Sequence, residues 1–279
     1  MLHPFVLHAA TAGRRQPRAA TKSHDANTSS AFPRHCNRSG CSPIAWEKYF
    51  TDLRCLYFIQ IGANGGTTQA YEGDAFWEYQ RLYRWRGAVI EANPATFQKL
   101  RHNYRDSLAV PLHVAISNRT DTLTFWCPKN NPKLSEVCTG NAHWAQQNPR
   151  LLNHAVRVNA IPLAALWDLL LPESVDVLGV DAEGEEYRIL MAAPLPVPLP
   201  KMIYFETTGF TNQRVNENGP QMLSELRRSL AMQGYSPLIK GGDERERDDL
   251  WALNGSLPFA GGPGRSSFGH DHWCQNLNS

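Results

Sequence analysis

The chain has 279 residues, 42% of them hydrophobic and 19% charged, enough for one large domain or two small ones with a buried core. Lys and Arg number 28 and Asp and Glu 26, a net charge of +2, which argues against binding driven by neutralising a nucleic-acid backbone or an acidic membrane surface. No stretch approaches the roughly 20 apolar residues that cross a bilayer, and no repeat period supports a fibrous or solenoid fold.

Residues 1–44 carry Arg14, Arg15, Arg18, Lys22, Arg34 and Arg38 against a single acid, Asp25, and show no apolar periodicity. This composition fits an Arg- and Ser-rich transit peptide, and hence an organellar protein. It fits equally a disordered leader with no address on a cytoplasmic one. The domain is expected over residues 45–256, with a polar insert at about 128–154, and a Gly- and Pro-rich tail at 257–279. The six cysteines, Cys36, Cys41, Cys55, Cys127, Cys138 and Cys274, form no Cys-x-x-Cys pair, which removes paired zinc knuckles. Free buried thiols are expected, although Cys127 and Cys138 flank a loop and could pair in an oxidising compartment.

Within the domain, Tyr57–Ile61 is a short β-branched run ending at Gly62 and reads as a buried strand. Phe76, Tyr79 and Tyr83 follow at helical spacing. Gly87–Glu91 is the second strand, and Pro94 starts a helix marked by Phe97, Leu100 and Tyr104. Val110–Ile116 reads as one third strand. Thr122–Trp126 and Val156–Ile161 read as an added hairpin around the insert, which Trp126, His143 and Trp144 border. Leu163, Leu166, Trp167 and Leu170 share a helical face. Val175–Val180 is a strand ending at Asp181, and Met202–Phe205 one ending at Glu206. Between them lies a helix marked by Tyr187, Leu190 and Met191. Met222, Leu226 and Leu230 mark a late helix, and Ser236–Lys240 with Asp249–Asn254 a closing antiparallel pair. Such alternation implies an α/β domain with a mostly parallel sheet covered on both faces. Arg227, Arg228, Arg245 and Arg247 read as solvated faces, and the His270, His272 and Cys274 group belongs to the tail.

In a sheet of this kind ligands lie beyond the carboxyl ends of the strands. Those ends carry Gly62-Ala63-Asn64-Gly65-Gly66, then Glu91-Ala92-Asn93, then Ile116-Ser117, then Asp181-Ala182-Glu183-Gly184-Glu185-Glu186, then Glu206. Glycines admit close backbone approach and positive φ, and an acid after the second strand can accept from both hydroxyls of a ribose. Each signal alone is weak; their order along the chain is not.

The runs Phe58–Gly66, Trp85–Pro94 and Val175–Glu186, with Ala115–Asn118 and Ile203–Glu206, resemble the FkbM family of methyltransferases over about residues 55–254. The resemblance implies a class I methyltransferase (Rossmann-like), doubly wound sheet with an antiparallel terminal strand. It also implies S-adenosylmethionine as cofactor, and O-methylation of a sugar or secondary metabolite. By the same resemblance Gly62, Ala63, Asn64 and Gly65 lie against the methionine and ribose, with Glu91 holding the ribose hydroxyls and Ala92 and Asn93 bordering the cofactor beside it. Ile116 and Ser117 border the adenine, and Asp181 and Glu183 floor the methyl-transfer cavity. Gln60 stands where many members have Asp. It can bond the loop but cannot neutralise the cofactor ammonium, a task that would fall to another acid such as Asp181.

Removal of a hydroxyl proton calls for a base, and Asp181, Glu183 and Glu206 are the candidates, Asp181 and Glu206 foremost. No metal is assigned, although the same acids could instead hold a divalent cation. The acceptor is expected to be a small molecule or glycan. A nicotinamide oxidoreductase is the rival enzyme and a non-catalytic domain the rival module, but the turn Gly62–Gly66 lacks the Gly-x-Gly-x-x-Gly pattern.

Overall fold

The computed structural model describes residues 44–66, 76–128, 138–140, 142–211, 218–241 and 248–256. Arg245, Arg247, His270, His272 and Cys274 lie outside the described residues, as do the leader and the tail and the side chains of His143 and Trp144. In chain order the elements are β1 (Tyr57–Ile61), α1 (Trp77–Tyr83), β2 (Arg86–Glu91), α2 (Pro94–Asn103), β3 (Leu108–His113), β4 (Ala115–Ser117), β5 (Asp121–Cys127), α3 (Ala142–Gln147) and β6 (His154–Pro162). There follow α4 (Leu163–Leu170), β7 (Val177–Val180), α5 (Glu186–Met191), β8 (Met202–Glu206), α6 (Thr208–Thr211), α7 (Gly219–Met232), β9 (Tyr235–Ile239) and β10 (Asp248–Leu253). Among the described residues no helix is long and apolar enough to cross a membrane.

Seven strands form one sheet in the order β3-β2-β1-β7-β8-β10-β9. β10 alone runs against the rest, antiparallel to both β8 and β9. This is the doubly wound sheet with an antiparallel terminal strand that the sequence predicts. Side-chain alternation along the strands sorts the core into two layers. Ile59, Ile61, Ile90, Leu178, Val180, Ile203 and Phe205 pack against α4, α5 and α7. Phe58, Val89, Val177, Met202 and Tyr204 face the other way, onto Trp46, Phe76, Trp85 and α2. Phe76 stacks on Phe58 at 5.2 Å between ring centroids. It also lies over Gly179, where a Cβ would sit 2.6 Å from its ring. The strand glycine is what lets the aromatic layer close on the sheet.

The third strand departs from expectation. The run read as one strand breaks at Val114. Leu108–His113 pairs in parallel with β2, while Ala115–Ser117 turns away to pair with β6. β5 pairs antiparallel with β6 from Asp121↔Ala160 to Cys127↔His154, so the expected hairpin is present and β4 completes a second, three-stranded sheet. A continuous apolar run hides the break because both pieces are extended. The second piece follows Ala160 and Val158, which bury Ala115 in a small cluster of their own. The edge position of β3 tolerates Pro111, which has no N–H to donate.

Arg227 is not solvated. Its guanidinium pairs with Asp249 on β10 at 2.6 Å, and the Asp249 side chain is fully buried. Asp249 also accepts from Gly241 N and Trp251 Nε1. The pair therefore ties α7 to the antiparallel strand. Arg228, on the neighbouring face, is exposed as expected.

The ends of β1 and β7 meet at Gly62. Its φ is +79°, and a Cβ there would lie 1.6 Å from the Asp181 carbonyl oxygen. Asp181 N donates to Ile61 O at 3.0 Å, which holds the two strand ends in contact. Gly62→Ala should therefore force the strands apart at a cost of about 3 kcal/mol or more, through backbone overlap and a left-handed φ together. A thermal melt should show Tm lowered by roughly 6–12 °C.

Candidate active site

The loop after β1 is shaped by β2. Gly62 N and Ala63 N both donate to Ile90 O at 2.9 Å. Asn64, at φ +52°, donates its N–H to Glu91 Oε2 at 2.9 Å, and Glu91 Oε1 accepts from Asn93 N at 2.7 Å. Asn103 Nδ2 donates to Gly65 O at 2.6 Å. Gly66 packs on α2, where a Cβ would meet Tyr104 at 2.5 Å and Leu100 at 2.7 Å. Gly62 and Gly66 are thus demanded by the packing of the protein itself. Glu91 is half-buried and joins the glycine loop to the end of β2.

The other expected site residues are distributed as follows. Gln60 is buried on β1 between Val89 and Gly179. Ala92 follows Glu91, and its carbonyl lies 3.2 Å from His113 Nε2. Asn93 spends its side chain on structure. Oδ1 caps α2 through Ala95 N at 3.0 Å, and Nδ2 donates to Thr96 Oγ1 at 2.8 Å and to Cys138 Sγ at 3.0 Å. Ile116 and Ser117 are buried in β4, opposite Ile161 and Pro162 of β6.

The acids converge. Asp181 ends β7 and Glu206 ends β8, one strand over. Glu186, at the start of α5, is fully buried, and carboxylate oxygens of Asp181, Glu186 and Glu206 lie within 4.8 Å of one another. Glu186 Oε1 accepts from Ala182 N at 2.7 Å and Gly184 N at 3.3 Å, which shapes the turn around Glu183, itself at φ +53°. Burial drives the Asp181 carboxyl well above its ordinary range, and Glu206, Glu183, Glu186 and Asp248 push it further. Burial, then Glu206, push Glu186 up to about 8. Tyr204 is raised by burial and by its hydrogen bond to Asp248.

Sequence reasoning missed Glu186 and Asp248. Glu186 reads as a first-turn helix acid, and the Glu-Gly-Glu-Glu run around the turn was its one signal. Asp248 enters only through the sheet register, which puts it directly opposite Glu206.

The insert is fastened to this cleft. Cys127 and Cys138 form a disulfide with Cα atoms 4.4 Å apart, and Cys55 is disulfide-bonded as well, which corrects the expectation of free thiols. The bond joins the end of β5 to the insert at Cys138, beside an isolated bridge in which Trp126 and Thr139 exchange backbone hydrogen bonds of 3.0 and 3.1 Å. Thr139 Oγ1 donates to Glu183 O at 3.1 Å. The insert therefore touches both the β2 end, through Asn93, and the β7 turn.

The family model for the methyltransferase FkbM domain matches residues 60–237, well over half of the chain and every strand end described above except Asp248. The chain belongs to the FkbM methyltransferase family. That is a family of S-adenosylmethionine-dependent methyltransferases. A comparison with curated proteins gives no significant match. Among solved structures, the similar ones include a fibrillarin pre-rRNA processing protein of Methanococcus jannaschii, at 14% identity and TM-score 0.34 over 72% of this chain and 67% of that one. Another is the Podospora anserina methyltransferase PaMTH1, bound to SAH, at 10% identity and TM-score 0.38 over 71% of each chain. A third is Aeropyrum pernix fibrillarin with natively bound S-adenosyl-L-methionine, at 14% identity and TM-score 0.35 over 72% of this chain and 66% of that one. Membership of the FkbM family displaces the nicotinamide oxidoreductase reading.

Replacing the disulfide with Cys127→Ser and Cys138→Ser should release the insert and leave the large sheet intact, because the bond closes a loop wholly outside that sheet. Hydrogen exchange at the Trp126 and Thr139 amides should accelerate sharply, while amides shared by β1, β2 and β7 keep their protection.

Proposed function

We propose that this FkbM-family chain is an O-methyltransferase acting on a hydroxyl of a small molecule or glycan. The carrying observation is the convergence of Asp181, Glu186 and Glu206 at the carboxyl ends of β7 and β8, of which β7 lies one strand from the glycine loop and two from Glu91. The residues suit the cofactor. S-adenosylmethionine carries a positive sulfonium and an ammonium, and a nest of carboxyl groups is the environment that favours both. When bound, it supplies an electrophilic methyl group on sulfur.

Glu91 would hold the ribose diol. A carboxylate offers about four lone-pair sites, enough to keep the loop amide and a diol together. The N–H groups of Gly62, Ala63 and Asn64 are already spent on β2. The loop would therefore meet the cofactor through its Cα surface, with Gly65 offering the least bulk. Ile116 and Ser117 would border the adenine. Gln60 cannot supply a charge, so the ammonium would fall to Asp181 or Glu183. Asp181, with Glu206 behind it, would take the acceptor hydroxyl's proton onto a carboxylate oxygen as the O–C bond to the methyl forms and its bond to sulfur breaks, leaving S-adenosylhomocysteine. Alignment of that oxygen supplies much of the remaining rate. A disulfide of the kind seen between Cys127 and Cys138 persists in an oxidising compartment, which favours an organellar or extracytosolic setting over the cytosol.

Calorimetry with S-adenosylmethionine and S-adenosylhomocysteine tests the reading, with NAD expected to give no heat. Glu91→Ala removes charge-assisted hydrogen bonds worth roughly 1.5–3 kcal/mol each, so affinity should fall by at least about tenfold. Unchanged affinity in the folded variant would remove Glu91 from the ribose site.

Asp181→Asn keeps shape and loses charge. Turnover, followed as S-adenosylhomocysteine release, should fall by about 10²–10⁴-fold with cofactor affinity largely retained. Loss of affinity instead would assign Asp181 to the ammonium, and full turnover would exclude it from both roles.

A further inference from the structure

Two independent observations concern the same group of acids. The first is the trio of carboxylates, Asp181, Glu186 and Glu206, whose oxygens lie within 4.8 Å of one another. Oxygen atoms on opposite sides of a hard divalent cation stand about 4–5 Å apart, since each lies roughly 2.1–2.5 Å from the ion. The second is the state of Glu186. It is fully buried, Oε1 is held by Ala182 N and Gly184 N, and Oε2 is buried with no hydrogen-bond partner among the described residues. A buried carboxylate oxygen left without a donor is costly, and a cation supplies what the protein does not.

We infer that Asp181, Glu186 and Glu206 form a binding site for a hard divalent cation of the Mg²⁺, Mn²⁺ or Ca²⁺ class. The all-oxygen ligand set excludes soft metals and suits these ions. Glu186 is the anchor, because the two backbone amides fix its carboxylate before any metal arrives. Asp181 and Glu206, at adjacent strand ends, close on the ion from the cleft side. Three protein ligands leave coordination positions open. The inference rests on the methyltransferase reading only for its use. There, open positions would take the acceptor hydroxyl oxygen and a neighbouring oxygen of the same molecule, so acceptors with two adjacent oxygens are favoured. A divalent ion there would lower the pKa of such a hydroxyl, and its proton would pass to the Asp181 or Glu206 carboxylate oxygen not engaged on the ion.

The test uses the full chain stripped with chelator and titrated with Mn²⁺, with the free-ion signal followed by electron paramagnetic resonance. One Mn²⁺ per chain should bind, with Mg²⁺ or Ca²⁺ competing. Glu186→Gln should weaken that binding by at least about tenfold, as loss of a charged ligand does, while circular dichroism of the metal-free variant matches that of the wild-type chain. If Glu186→Gln does not fold, Glu206→Gln at the strand end serves in its place. No stoichiometric Mn²⁺ binding by the wild-type chain, or equal binding by the folded variant, overturns the site. Failure of the wild-type chain to bind S-adenosylmethionine would overturn the functional reading and leave the Mn²⁺ result to stand alone.

Discussion

Carboxyl groups of like charge crowd the ends of β7, β8 and β10, and the rest of the cleft answers to that crowding. Glu206, Glu183, Glu186 and Asp248 all act on the Asp181 carboxyl, and burial acts on it more than any of them. A folded protein tolerates such a nest by holding its members on rigid elements, by protonating some of them, or by binding positive charge. The first device is visible in the strand ends and in the two amides that grip Glu186. The second is visible in the rise of Asp181 and Glu186. The third is the device the proposed function would use: a site built of anions favours cations such as a sulfonium or an ammonium.

That nest would collapse into packing if the neighbouring loops were free to move, and three separate fastenings prevent it. Gly62 lets the Asp181 carbonyl seat against β1. Glu91 draws Asn64 to the end of β2. The disulfide holds the insert so that Thr139 reaches Glu183 while Cys138 receives Asn93. Each fastening joins two strand ends that are distant in sequence, so the cleft is preorganised by the same contacts that fix the topology. Preorganisation of this kind places charge without reorganisation at the moment of reaction.

Much of this was legible in the sequence because strands of a buried parallel sheet are short, apolar and abruptly ended. Gly62, Glu91, Asp181 and Glu206 each terminate such a run, and each stands at a strand end bordering the cleft. What the sequence hid depended on partners far along the chain. Asp248 gains meaning only through its register against Glu206. Arg227 looked solvated because helical spacing places Leu226 and Leu230 inward and says nothing of Asp249 beneath. The break at Val114 left no trace, since both strands on either side are extended and apolar. The Cys127–Cys138 pair can be named from its loop but is disfavoured for a different reason: a chain of this size needs no disulfide to fold, so composition argues against a bond whose task is local.

The glycines carry the same lesson about attribution. Read from sequence, Gly62–Gly66 looks like a turn kept small for a ligand. In the structure the atoms nearest to Gly62 and Gly66 are the protein's own, a carbonyl in one case and the Tyr104 and Leu100 side chains in the other. Smallness there lets β1, β7 and α2 close up, and the closure in turn fixes the strand ends that carry Glu91 and Asp181. In the proposed function, cofactor binding would depend on these glycines at one remove. A substitution at Gly62 would reach the cofactor by displacing the Asp181 backbone, and one at Gly66 by shifting α2 and, through the Asn93 cap, the end of β2 that carries Glu91.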